Sequence, residues 1–190
     1  YNLSPGNGRA VIAIVGGEGD IITGRGPTDL FSVGSAVFAS DRVAKQLLDI
    51  ADDKSVNAVV FRVDSGGGSA IASDQIWNAV KKVQASGKKV VVSMGSMAAS
   101  GGYYVAANAD EIIANRSTIT GSIGVFGGKF AVADALRQFG VNPQEVHVGG
   151  DFSSAYSSDK FTPAQKAKLL EGLQAVYDRF TGLVADGRKL

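Results

Sequence analysis

The sequence contains no cysteine and a single histidine, His147, among its 190 residues. The absence of cysteine excludes disulfide bonds, zinc–thiolate sites and a cysteine nucleophile. The acidic pairs at 52–53 and 110–111 have no histidine or cysteine beside them, so we expect neither a metal nor a cofactor. A formal net charge of +1 provides no electrostatic case for a nucleic-acid partner.

Long hydrophobic runs are also missing. No apolar stretch approaches the roughly 20 residues of a membrane-spanning helix, and no signal peptide opens the sequence. A composition of 45% hydrophobic and 19% charged residues is typical of a globular domain with a sizeable core. We interpret residues 1–9 as a linker and 10–190 as a single domain, and we expect this domain to be a fragment of a longer, membrane-anchored protein.

Glycine is abundant, with 25 residues, where an average protein has about 7%. A continuous apolar run at 10–15 predicts a strand, and such runs are typical of strands buried on both faces. Segments 58–63, 89–93 and 111–114 predict further strands. Apolar residues at helical spacing lie between them. This alternation predicts an α/β fold with a largely parallel sheet.

Four local features complete the predicted elements. A helix is expected to begin at a cap near Ser40, and the final helix at a capping box over 162–165 that holds a proline at the first helical position. Apolar residues at helical spacing over 132–139 predict another helix. The alternating segment 146–148 predicts a further strand.

Ser100 is the most informative residue of the chain. It follows a predicted strand and the small residues Ala98 and Ala99, and two glycines come directly after it. Small neighbours let a substrate backbone approach closely, and glycines leave their amides free to face a ligand. A nucleophilic serine beside an oxyanion site requires both properties. The alternative is a tight helix start at which the serine is only a cap.

A second glycine loop, 66–68, follows the neighbouring predicted strand. Parallel strands end at one edge of a sheet, where open α/β folds bind ligands. A free amide in this loop could therefore complete an oxyanion site with the Ser100 loop. Phosphate binding is the competing functional reading, but the loop lacks the lysine and serine or threonine of a P-loop. A plain strand-to-helix turn is the structural alternative.

Three ordered motifs carry a family resemblance: 64–69 (DSGGGS), 97–104 (MAASGGYY) and 120–125 (TGSIGV). Together they resemble the S49 serine peptidases, the signal peptide peptidase A or protease IV family, over roughly residues 10–187. The resemblance implies a fold like the crotonases and the Clp protease subunit, with repeated β-β-α units in a superhelix. It also implies Ser100 as the nucleophile and the amides of Gly67 and Gly101 as oxyanion donors.

The same resemblance implies an endopeptidase that degrades signal peptides or other hydrophobic peptides. The expected location is the bacterial inner membrane, with the catalytic domain on the periplasmic side. Peptidases of this kind form rings or bowls, so a homo-oligomer is expected. Family members usually have proline where this chain has Gly66.

The general base is the open question. His147 lies in an alternating segment typical of a surface strand, so a Ser–His–Asp triad is not expected. The family uses a Ser–Lys dyad, but Phe152 occupies the position of the family's lysine. Long members carry two homologous halves, with the lysine in the first and the serine in the second. We therefore expect the base to come from an N-terminal half, with Lys129 and Lys160 as internal candidates.

Two other functions stay open from the sequence. A crotonase-type acyl-CoA enzyme would share the fold and the oxyanion site, but would need catalytic carboxylates near the glycine loops. A non-catalytic assembly or regulatory domain of the same fold would be consistent with Phe152 in place of lysine. On the leading interpretation the isolated chain is an inactive part of a serine protease.

Overall fold

The computed structural model describes residues 10–26, 37–144, 146, 148 and 155–190. The predicted linker, His147 and Phe152 lie outside these residues. Two compact units are present, one built from the described residues up to Gly124 together with Phe180–Leu190, and one from Val125–Arg179. The elements are β1 (Val11–Glu18), β2 (Asp20–Ile22), β3 (Val37–Ala39), α1 (Ser40–Asp52), β4 (Val56–Ser65), α2 (Ala70–Ala85), β5 (Lys89–Ala99), α3 (Gly101–Tyr104), β6 (Glu111–Ile113), β7 (Ile119–Gly121), α4 (Ala133–Gln138) and α5 (Pro163–Arg188).

The main sheet of the first unit has the strand order β1-β4-β5-β6, and β7 also pairs with β5. All of these pairings are parallel, as is the separate pair β2-β3. The predicted α/β class with a largely parallel sheet is confirmed. Because β4 and β5 are neighbours and run in the same direction, the loops that follow them lie at the same edge of the sheet.

One face of this sheet carries the core. Inward residues of β4 and β5 are fully buried beneath α1 and α2, and Phe61 meets Phe38 edge-to-face with ring centroids 6.0 Å apart. Strand β1 differs from the prediction of burial on both faces. Ala13 and Val15 are buried, but Ile12 and Ile14 are 57% and 69% exposed, because the described residues cover only one side of the strand.

The two predicted helix starts have different outcomes. Ser40 is the first helical residue rather than the cap, and its buried hydroxyl accepts a hydrogen bond from the Gly24 amide at 3.2 Å. The predicted start of this helix near Ser40 is confirmed, but the predicted cap was wrong: the residue before the helix is Ala39, no side chain caps the helix, and the Ser40 hydroxyl is bonded to the Gly24 loop instead. The capping box is confirmed: the Thr162 amide donates to Gln165 Oε1 at 3.0 Å, and the Gln165 amide donates to Thr162 Oγ1 at 3.2 Å.

The second unit contains the predicted helix over 132–139 as α4, but this helix buries only Ala133. Phe139 is 83% exposed, so the expected apolar face is not packed within the described residues. Ion pairs link segments of this unit instead, and one of them joins the Arg137 guanidinium to the Asp159 carboxylate at 2.9 Å. Val146 and Val148 are not in a strand, and the predicted strand's centre, His147, is outside the described residues.

Asp110 provides a pH-sensitive contact at the start of the sheet. Burial raises the pKa of its carboxyl, but hydrogen bonds from Lys89, the Val90 amide and Gln84 outweigh it and lower the pKa from 3.8 to about 2. Folding therefore favours the ionised form. The stabilisation is complete above pH 3.8 and is lost as the pH falls to about 2.

We expect Asp110→Ala to lower the free energy of unfolding by about 1–2 kcal/mol at pH 7, because the Val90 amide and Gln84 lose their acceptor. The difference from wild type should largely vanish near pH 2. Urea unfolding at the two pH values measures it. Asp49→Ala, which breaks the exposed pair with Lys45, is the control and should cost less than about 0.5 kcal/mol. An equal Asp110→Ala loss at both pH values would contradict the assignment.

Candidate active site

Ser100 lies at the sharp turn between β5 and α3. Its backbone has φ 48° and ψ −120°, which is strained for a residue with a side chain. Such strain costs about 1–3 kcal/mol and persists only where the surroundings impose it. Here the Ser100 amide donates to the Gly121 carbonyl at 2.8 Å, and its carbonyl accepts from the Tyr103 and Tyr104 amides at 2.9 Å each. The serine thus sits on a strand–turn–helix junction, the kind of local structure in which serine nucleophiles occur.

The Ser100 hydroxyl is half-buried and has no hydrogen-bond partner among the described residues. The neighbouring Gly101 amide also has no acceptor among them. The Ser100 amide, by contrast, already donates a hydrogen bond to the Gly121 carbonyl. A peptide carbonyl bound at this turn would therefore lie near the Ser100 hydroxyl oxygen and near one amide, that of Gly101, which has no other acceptor among the described residues.

The two glycine loops meet at Ser100. A methyl group built on Gly67 would stand 3.1 Å from Ser100 Oγ and 2.7 Å from the Gly101 nitrogen. A methyl group built on Gly101 would stand 3.3 Å from the Gly68 nitrogen. Backbone replaces side chains along this contact, which allows the close approach. The structure therefore brings Ser100, Gly67 and Gly101 together, while their chemical roles stay predictions.

The amides of the first loop are not equivalent. The Gly67 amide donates to the buried Ser65 hydroxyl at 3.1 Å, whereas the Gly68 amide has no acceptor within the described part of the chain. The Gly67 amide would have to give up its hydrogen bond to Ser65 before it could bind an oxyanion. The Gly68 amide would not have to give up any bond within the described residues.

Comparison with known proteins agrees with this geometry. The sequence model of peptidase family S49 matches residues 82–190, and that of Clp protease matches residues 33–122. The chain is 40% identical to Protease 4 of Haemophilus influenzae over 94% of its length, and 38% identical to Protease 4 of Salmonella typhi over its whole length. The chain belongs to peptidase family S49.

The S49 chain spans 28–29% of these two relatives. Its fold is similar to that of a ClpP1 point mutant from Listeria monocytogenes, with a TM-score of 0.50 at 15% identity, covering 92% of this chain and 71% of that one. The predicted Clp-like fold is thereby confirmed.

Asp64 braces the segment that leads to Ser100, and sequence reasoning missed it. Its carboxylate accepts hydrogen bonds from the Ser96 amide at 3.1 Å and the Met97 amide at 3.0 Å. The register between β4 and β5 shifts at this point, which frees those amides from the strand ladder. The signal was an acidic residue at the carboxyl end of a buried strand, directly before the glycine loop.

A second brace holds α3 from behind. The Tyr104 hydroxyl lies 2.6 Å from an Asp74 carboxylate oxygen, to which it donates, and the Tyr104 ring packs against Phe180 with centroids 4.8 Å apart. Phe180, Leu183 and Val184 bury this side of α3. The last turns of α5 therefore support the helix that follows Ser100.

The internal base candidates both belong to the second unit. Lys129 donates to Ser157 Oγ at 3.1 Å and lies 4.5 Å from the centroid of the Phe161 ring. Lys160 forms an ion pair with Asp134 at 3.0 Å, and hydrogen bonding to Lys160 is the main cause that lowers the pKa of Asp134. Each ammonium group thus has a partner within its own unit.

No group of three histidine or acidic residues that could hold a metal occurs in the described ranges. No helix in those ranges is long and apolar enough to cross a bilayer.

A cavity of about 520 Å³ lies near the ends of β1 and β4. It is lined by Gly16, Gly17, Glu18, Val37, Arg42, Arg62 and Asp64.

Gly68 offers a test of the loop geometry. Its φ is +145°, and a Cβ there would collide with the Ile21 carbonyl oxygen. Because that obstacle is backbone, we expect Gly68→Ala to lower the free energy of unfolding by more than about 2 kcal/mol. Gly16→Ala, where nothing lies within 4 Å, is the matched control. Equal effects in thermal or urea unfolding would contradict the described loop.

Proposed function

We propose that the longer protein containing this chain is a serine endopeptidase that degrades cleaved signal peptides or other hydrophobic peptides. Ser100 is the nucleophile, and the Gly101 amide with an amide of the 66–68 loop holds the oxyanion. The observation that carries the proposal is the strained Ser100 turn, where the two glycine loops are in close contact and the serine hydroxyl has no hydrogen-bond partner among the described residues. Membership of a peptidase family supports the same reaction class.

The chemistry requires little beyond this arrangement. Ser100 Oγ attacks the peptide carbonyl carbon while a base removes the hydroxyl proton, and the carbonyl oxygen becomes an oxyanion held by backbone amides. The base returns the proton to the departing amine, which leaves an acyl-enzyme that water hydrolyses in a second cycle. Each oxyanion donor contributes about 10²–10³ in rate.

The base is proposed to be a lysine from an N-terminal half of the same protein. Neither lysine nor histidine bonds to the Ser100 hydroxyl among the described residues, and Phe152 stands where the family's lysine is expected. A lysine desolvated against the serine can act as a base near neutral pH. The two Protease 4 relatives are more than three times the length of this chain, which leaves room for such a segment.

Location and assembly complete the proposal. The protein acts at the bacterial inner membrane, with this domain on the periplasmic side, where cleaved signal peptides collect. It assembles as a homo-oligomeric ring or bowl that encloses the sites. The highly exposed aromatic residues Phe126, Phe130 and Phe139 support the assembly, because a monomer gains nothing from exposing them.

A general base supplied by an N-terminal half predicts different activities for the isolated chain and for the longer protein. The purified 190-residue chain should hydrolyse no peptide and react poorly with a fluorophosphonate, because its serine is not activated. The longer protein with both halves should do both. Fluorogenic peptide hydrolysis and gel-based probe labelling measure this. Clear turnover by the chain alone would contradict a base from elsewhere.

The nucleophile is tested in the longer protein. Ser100→Ala should reduce kcat by more than about 10³-fold, because no covalent intermediate can form. Ser96→Ala is the matched control: its side chain is exposed and only its amide is bonded, so kcat should stay within about 2-fold. Unchanged hydrolysis by Ser100→Ala would leave only an assembly role for this domain.

A further inference from the structure

Ser65 is a buried polar residue with no part in the reaction described so far. It is the last residue of β4 and is 2% exposed. Its hydroxyl accepts a hydrogen bond from the Gly67 amide at 3.1 Å and lies 3.5 Å from the Gly67 carbonyl oxygen. A serine that bonds the amide two residues later closes a tight side-chain turn. Ser65 therefore holds the first part of the glycine loop in place from the end of β4.

Ile21 fixes the other side of the same loop. Its amide donates to the Gly67 carbonyl at 2.8 Å, and its carbonyl accepts from the Ser69 amide at 2.8 Å. Between them, Ser65 and Ile21 engage both polar groups of Gly67 and the amide of Ser69. The Gly68 amide is left without an acceptor among the described residues, in the part of the loop that contacts Gly101.

We propose that Ser65 is a positioning residue for the oxyanion site. By holding the Gly67 amide inside the loop, its hydroxyl sets the positive φ values of Gly67 (109°) and Gly68 (145°). It thereby selects Gly68, rather than Gly67, as the donor that this loop presents beside Gly101. The inference rests on the proposed peptidase function and assigns Ser65 no contact with substrate.

A different role for Ser65 would change the rate in the opposite direction when its hydroxyl is removed. If the Gly67 amide were the donor, the Ser65 hydroxyl would compete with the oxyanion for it. Removing the hydroxyl would then raise the rate. As a positioning residue, Ser65 should instead lower the rate when it is truncated, because the loop loses the bond that orders its amides. The direction of the change in kcat decides between these roles.

The experiment uses Ser65→Ala in the longer, active protein. We expect kcat to fall about 10–100-fold with KM within about 2-fold, since an oxyanion donor acts in the transition state and not in substrate binding. Affinity for a peptide boronic acid should fall by a similar factor. Ser65→Thr, which keeps a hydroxyl, should recover part of the loss. Ser86→Ala removes a comparable hydroxyl bond, to the Val83 carbonyl at the other end of α2, and should leave kcat unchanged.

A second readout is independent of catalysis. In the ¹⁵N-glycine-labelled chain, amide hydrogen exchange at Gly67 should be slow, and Ser65→Ala should accelerate it at least about tenfold, whereas Ser86→Ala should not. Unchanged exchange at Gly67, a raised kcat, or an unchanged kcat in an active protein would each overturn the inference. A wild-type longer protein that hydrolyses no peptide would instead refute the proposed function, which the exchange measurement does not depend on.

Discussion

The site depends on the close approach of two backbone loops at the carboxyl edge of one parallel sheet. Adjacent parallel strands deliver both loops to this edge, and glycine allows them to touch. A single Cβ at Gly67 or Gly101 would enter the space of backbone or serine atoms. The contact is therefore made by main chain rather than side chains. Backbone amides held in this way are fixed dipoles, which is what the proposed oxyanion site requires.

Strain at Ser100 is supported by the rest of the first unit. The Gly121 carbonyl holds its amide, Asp64 braces the segment before it, and Tyr104 with Phe180 braces the helix after it. Gly121 and Ser122, at the end of β7, also have positive φ values of 83° and 49°. Two unusual backbone segments thus meet at Ser100. Strain that clusters in this way is typical of functional sites, because surrounding packing must stabilise it.

Much of this arrangement could be predicted from the sequence. The apolar runs indicated the strands, the glycine clusters indicated loops at one edge, and their order indicated the family. Other features could not be predicted in this way. Burial of only one face of β1 depends on what packs against it, and both polar partners of Ser65 lie in a loop whose backbone angles no local pattern specifies. Ser40 was assigned to a cap because its actual partner, Gly24, is distant in sequence.

The sequence by itself determined the chemical inventory: a serine between small residues, two glycine clusters, no cysteine and one histidine. Those identities restrict the reaction because side-chain chemistry does not depend on the fold. Only the tertiary structure decided which amides around Ser100 have partners among the described residues. That choice depends on long-range hydrogen bonds, in which the Ser100 amide donates to the Gly121 carbonyl, the Ile21 amide to the Gly67 carbonyl and the Ser69 amide to the Ile21 carbonyl. Such bonds join residues 20 or more positions apart in the chain, so they form only when the sheet brings the strands together.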